Sequence, residues 1–142
     1  MSDTSNSNSV GLTAPPGVAV LVVASEPGRA LLDVVDVYLA SFPHSGGHSL
    51  LEAMGAGKPV VVLRFPPDSH YNSGAELVGL RELTAPGEAD YIEIADRLLR
   101  NPSLRQKQSQ AMLDRFRAEF RPERLGERYK EFLAPFQGAI PK

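Results

Sequence analysis

Hydrophobic residues along the chain fall into short runs and into spaced stripes, and the two patterns predict different elements. Val18 to Ala24 is a continuous, valine-rich run, as expected of a strand covered on both faces in a parallel sheet. Val35 to Ala40 and Pro59 to Leu63 repeat the pattern. Between the first two runs, Glu26 to Val34 suits a short helix with Pro27 near its first turn. Between the second and third lie a turn-rich loop, Phe42 to His48, and a helical stretch, Ser49 to Met54, that Gly55 and Gly57 stop. Strand, loop, helix, glycine stop and strand make a βαβ unit with a compact crossover.

Beyond the third strand the pattern becomes helical. A polar, proline-rich loop (RFPPDSHYNS) leads to a short helix over Gly74 to Gly79 and a small strand near Leu83. Tyr91, Ile94, Ala95, Leu98 and Leu99 share one face of a helix over Asp90 to Arg100. Asn101 suits the N-cap of the next helix and Pro102 its first position. Leu104, Gln108, Met112, Phe116 and Phe120 recur every fourth residue, so 103–120 reads as an amphipathic helix. A last helix from about Pro122 carries Leu125, Tyr129, Phe132 and Leu133. Residues 1–17, rich in Ser, Asn, Gly and Pro, read as a flexible tail, with 18–136 as the domain and 137–142 as a second tail. The expected class is α/β: one domain with a small parallel sheet and a helical C-terminus. Three or four strands are few for a free-standing doubly wound sheet, whose common orders use about five or six. The shortfall points to a missing partner domain or upstream segment.

Composition narrows the class. Of 142 residues, 42% are hydrophobic and 23% charged, which excludes wholesale disorder. No apolar run reaches the roughly 18–20 residues of a membrane span. No Lys or Arg precedes Arg29, so the basic start of a signal peptide is lacking. There is no cysteine, hence no disulfide, thiolate zinc site or Cys nucleophile. A cytoplasmic location is compatible with these features. Charge is uneven: six basic and twelve acidic residues precede Ser103, against nine and five from there on, or −6 and +4. The basic excess reads first as a solvated helix face. Its aromatics lie on the apolar stripe, which argues against stacking on nucleic acid. Docking of 103–136 on a neighbouring domain, another protein or a membrane surface is the alternative.

The loop from Phe42 to Ser49 carries the candidate chemistry. Adjacent Gly46 and Gly47 after a strand let backbone approach a ligand closely. The following helix N-terminus offers free N–H groups, which together suit a phosphate or pyrophosphate. Ser45, His48 and Ser49 are candidate side-chain donors; a tight turn with no ligand explains the same pattern. Glu52, in the first turn of the expected helix, is favoured there by the helix dipole. It could accept bonds from the paired hydroxyls of a ribose, or be an ordinary helix-start glutamate. His44 and His48 have the spacing of a metal pair only on a helix, and the glycines between them argue against one; no third ligand is evident, so no metal is expected. His70 sits in the proline-rich loop, where open α/β sheets place ligands. Gly57-Lys58 is not a P-loop, since Pro59 stands where Ser or Thr is needed. Gly55-Ala56-Gly57 ends a helix instead of starting one, and Leu51 replaces the last glycine of a nucleophile elbow.

The run DVYLASFPHSGGHSLLEAMGAGKPVVVL resembles the C-terminal donor-binding domain of GT-B glycosyltransferases. Downstream, GLRELTAPGEADYIEIADRLLRNPSLRQKQ is similar to the O-GlcNAc-transferase branch with its SPINDLY-like relatives, through Gly79, Leu80, Glu82, Leu83, Tyr91, Ala95, Leu98, Asn101 and Pro102. The resemblance implies a Rossmann-like domain, half of a GT-B fold, with the N-terminal half absent. It implies that Ser45, Gly46, Gly47, His48 and Ser49 hold the diphosphate of a nucleotide sugar, a UDP-sugar above all, and that Glu52 holds its ribose. His44, His70 and Arg29 are then candidate donor or substrate contacts, with Arg29 near the family's base-contacting loop. The sugar is a substrate, and no cofactor is implied. Catalytic residues stay unassigned. His44 replaces the first glutamate of the family's retaining pattern, His48-Ser49-Leu50 replaces a run of three hydroxyl residues, and an arginine usual in the loop after the third strand is missing. The acceptor side and catalytic base belong to the absent half, so the expectation is a donor-binding part inactive alone. The alternative is a non-catalytic remnant that binds a nucleotide or a protein.

Overall fold

A computed structural model describes residues 15–18, 20–22, 32–136 and 138. The helix expected over Glu26 to Val34 falls mostly outside them, as do Arg29, most of the N-terminal tail and most of residues 137–142.

Four strands form one parallel sheet in sequential order: β1 (Val20–Val22), β2 (Val37–Leu39), β3 (Val60–Leu63) and β4 (Thr84–Ala85). Val20 pairs with Val37, Tyr38 with Val60 and Val62 with Thr84. The continuous apolar runs are accounted for by the packing. All three residues of β2 and the first three of β3 are buried, so both faces of the sheet are covered. Between β2 and β3 runs α1 (His48–Gly55), and after β3 comes α2 (Ser73–Val78); they pack on each other and on β3. Helix α3 (Glu88–Arg100) lies along β2, β3 and β4. Its Tyr91 hydroxyl donates to the Ala40 carbonyl at 2.8 Å, tying α3 to the exit of β2. The fourth strand is two residues long and follows a 3-10 turn over Arg81–Leu83. Leu83, the expected centre of that strand, therefore lies in the turn, where it is fully buried.

Helix α4 (Pro102–Glu119) starts as the sequence expects: Pro102 opens it, and Asn101 Oδ1 accepts the Leu104 N–H at 3.0 Å. It packs against α1 and α3 through Met112, fully buried, and through Gln108, Leu104 and Phe116. Two of its arginines are helix caps and not solvated charges. Arg105 Nη1 donates to the Leu98 and Leu99 carbonyls at the end of α3 (3.0 and 2.7 Å). Arg115 donates to the Leu77 and Glu76 carbonyls at the end of α2 (2.9 and 3.0 Å). Both satisfy carbonyls that a helix end leaves orphaned. Helix α5 (Pro122–Leu133) follows, packed on α4 at one end.

Candidate functional site

The carboxyl ends of β2 and β3 open onto two loops, 40–47 and 64–72, and these make the rim where a parallel sheet places ligands. Ser41 Oγ donates to the His44 carbonyl at 2.6 Å and closes the first loop on itself. Gly46 has φ of 72°, a left-handed conformation that a side chain disfavours. A Cβ there would also stand 2.7 Å from Ser49 Oγ. Gly47 is the N-cap of α1 and, having no side chain, leaves the helix end without a side-chain cap. The space around its missing Cβ is open, so the first N–H groups of α1 meet the rim unscreened. Gly74 of α2 packs on Ser45 so closely that a Cβ would overlap it. The Ser45 hydroxyl is buried in this contact without a hydrogen-bond partner among the described residues.

The remaining residues expected in the diphosphate turn divide. His48, the first residue of α1, is 71% exposed in its side chain, and its Nε2 stands 3.0 Å from Glu52 Oε1. Ser49 is buried, and its side chain hydrogen-bonds the Tyr38 phenol. Glu52 does not lie in the first turn, where the sequence placed it. Because α1 begins at His48, Glu52 lies in the second turn, and the first turn holds no acid. The helix dipole acts mainly within the first turn, and the side chain that meets the Glu52 carboxylate is His48. One-third exposed, Glu52 lines a cavity of about 380 Å³ with Leu32, Asp33, Leu51, Lys58 and Phe116.

Two buried phenols brace the floor. Burial pushes the Tyr91 hydroxyl well above the ordinary phenol range, with Tyr38 adding to the effect. Burial also raises Tyr38; the Ser49 hydrogen bond works against that shift and the Glu52 carboxylate with it. Both stay neutral hydrogen-bonding groups at physiological pH.

The second loop holds residues that sequence reasoning passed over. Asn72 Oδ1 accepts the Phe65 N–H at 2.8 Å, and its Nδ2 donates to the Phe65 and Pro66 carbonyls at 3.1 and 2.8 Å. So braced, the loop sets Tyr71 edge-on against His44, with ring centroids 4.9 Å apart, and packs Phe65 behind Tyr71 at 5.6 Å. The aromatics inside the otherwise polar RFPPDSHYNS stretch were the available signal. His70 is exposed on the same loop. Thus His44, Ser45, Gly46, Gly47, His48, Glu52 and His70 all lie on or beside the rim, whereas the Ser49 side chain turns inward. Among the described residues no cluster of three or more His, Cys, Asp or Glu has the arrangement of a metal site, and no helix is long and apolar enough to cross a membrane.

No family model and no curated protein matches the chain. A solved structure does: a point mutant of Thermobaculum terrenum O-GlcNAc transferase, with a TM-score of 0.58 and 27% identity over 72% of this chain. The match spans 21% of that protein's length. This likeness, with the parallel sheet and its helices, supports a glycosyltransferase-like α/β fold of the GT-B kind and agrees with half of a Rossmann-like pair.

Proposed function

We propose that this chain is the donor-binding part of a glycosyltransferase, holding a nucleotide diphosphate sugar, in the first instance a UDP-sugar, for transfer to an acceptor hydroxyl. One observation carries the reading: the Ser45-Gly46-Gly47 turn delivers open backbone and an uncapped helix N-terminus to the carboxyl rim of a parallel sheet. Such a place favours a diphosphate through N–H donation and the positive end of the helix dipole. The likeness to an O-GlcNAc transferase supports the same chemistry.

In this reading, negative charge grows on the diphosphate as its bond to the sugar breaks. The Gly46 and Gly47 amides, the first N–H groups of α1 and the His48 ring stabilise that charge. Ser49 takes part through its amide. Glu52, released from His48, accepts both ribose hydroxyls. His44 and His70 stand where the rest of the donor or the acceptor would pass. The acceptor site and catalytic base come from a segment outside these 142 residues, in the same or a separate chain, meeting this one through 103–136. The chain alone then binds donor and transfers nothing.

The limited span of the likeness favours a second reading, a nucleotide- or protein-binding module without catalysis. Mixing the chain with an N-terminal GT-B half separates the two, since transfer appears only under the first. The donor site itself is tested by calorimetric titration of UDP, with GDP as control, into the chain and into Glu52→Ala. Saturable UDP binding, weakened by roughly 1.5–3 kcal/mol in the variant, is the expected result. Absence of binding by folded protein would refute the reading.

A further inference from the structure

The glycine turn has two unlike ends. On one side Glu52, 3.0 Å from His48 and one turn along α1, lines a cavity that extends toward the amino ends of β2 and β3, past Leu32, Asp33 and Lys58. On the other side Ser45 seats on Gly74 of α2, and His44 meets Tyr71 from the loop after β3. One end of the turn is therefore carboxylate and the other aromatic. Tyr71 is 39% exposed, although burial would favour its ring. It is nonetheless held in place. Asn72 makes three bonds to the backbone of its loop, and Ser69 Oγ accepts the Tyr71 N–H at 3.1 Å. Half-buried Phe65 packs behind it, and the Ser41 bond fixes the backbone that carries His44. An exposed ring so braced presents a rigid flat surface. His44 is two residues from Gly46, so its Cα lies within about 8 Å of the turn, and its ring carries the contact on to Tyr71.

We infer that Tyr71, backed by Phe65 and edged by His44, is the platform for the glycosyl unit of the donor, which lies across the glycine turn with ribose toward Glu52 and sugar toward β3. The inference rests on the donor reading above. A pyranose offers a C–H face that an aromatic ring covers while its hydroxyls stay in water. A nucleobase would also stack on an exposed tyrosine. However, a ribose at Glu52 places the base at the carboxylate end and leaves the aromatic end to the sugar.

The test titrates UMP, UDP, UDP-glucose and UDP-N-acetylglucosamine into the full chain, Tyr71→Ala and Tyr71→Phe. The expected result is a loss confined to the sugar nucleotides. In Tyr71→Ala at least one of them binds about fivefold more weakly, the size of a single aromatic-face contact. UMP and UDP are unchanged, and Tyr71→Phe restores the affinity. Equal losses for all four ligands would put the base on the platform and overturn the inference, as would no change for any. Failure of the wild type to bind any of the four refutes the donor reading itself, a result distinct from these.

Discussion

Helices α4 and α5 follow one another, each carries spaced apolar residues, and only the first packs them on the core. In α4, Met112 is fully enclosed and Gln108 nearly so, against α1 and α3. In α5, Tyr129 and Phe132 are 67% and 69% exposed, and Leu125 and Leu133 are exposed as well. The charges differ in the same sense. Arg105 and Arg115 of α4 cap the helices beneath them. In α5, Arg124 pairs with Glu127 at the surface, and Arg128 stands 3.9 Å from Glu119. Amphipathic spacing therefore records that a face can be covered; the neighbours decide whether it is.

The sharpest way to break the comparison is to cut each stripe. Met112→Ala should cost about 2–5 kcal/mol in chemical denaturation, because a fully enclosed side chain leaves a cavity. A smaller loss belongs to the cap that α4 supplies to α2. Gly79→Ala forces a side chain into φ of 60° and into the Arg115 guanidinium, and should cost about 1–2 kcal/mol from the backbone alone. Arg115→Ala in the same background should then add less than it does in the wild type, as a double-mutant cycle would show. Asn101→Ala removes the N-cap bond to Leu104 and should lower stability by about 1 kcal/mol, read from the same denaturation curves. Smallest of all, Phe132→Ser should change stability by no more than about 0.5 kcal/mol, since its ring is already in water. A loss as large as that of Met112→Ala would mean that α5 is covered in solution.

The same contrast separates what the sequence made legible from what it hid. The valine-rich runs became strands because burial on both faces needs no periodicity, and Asn101-Pro102 marked a helix start because capping is local. The glycine turn was legible for the same reason: Gly46 and Gly47 lie between a strand and a helix that both show in the pattern. Glu52 was expected in the first turn and falls just beyond it because His48, one residue before Ser49, opens α1, and helix ends depend on backbone geometry that spacing does not fix. The inward Ser49 hydroxyl depends on Tyr38, and the seating of Ser45 depends on Gly74. The aromatic cluster needs His44 and Tyr71 from separate loops. Those contacts are tertiary, and no local pattern encodes them. The cap made by Arg115 was hidden likewise, because its acceptors lie on another helix.

A nucleotide diphosphate seated on the glycine turn, as proposed, is detected by amide NMR during a UDP titration. Saturable shifts centred on the Gly46, Gly47 and His48 amides, with a further shift at Glu52, are the expected result. Shifts centred instead on Arg105, Gln106 and Ser109, which line a cavity of about 240 Å³ at the opposite end of the strands, would contradict that placement.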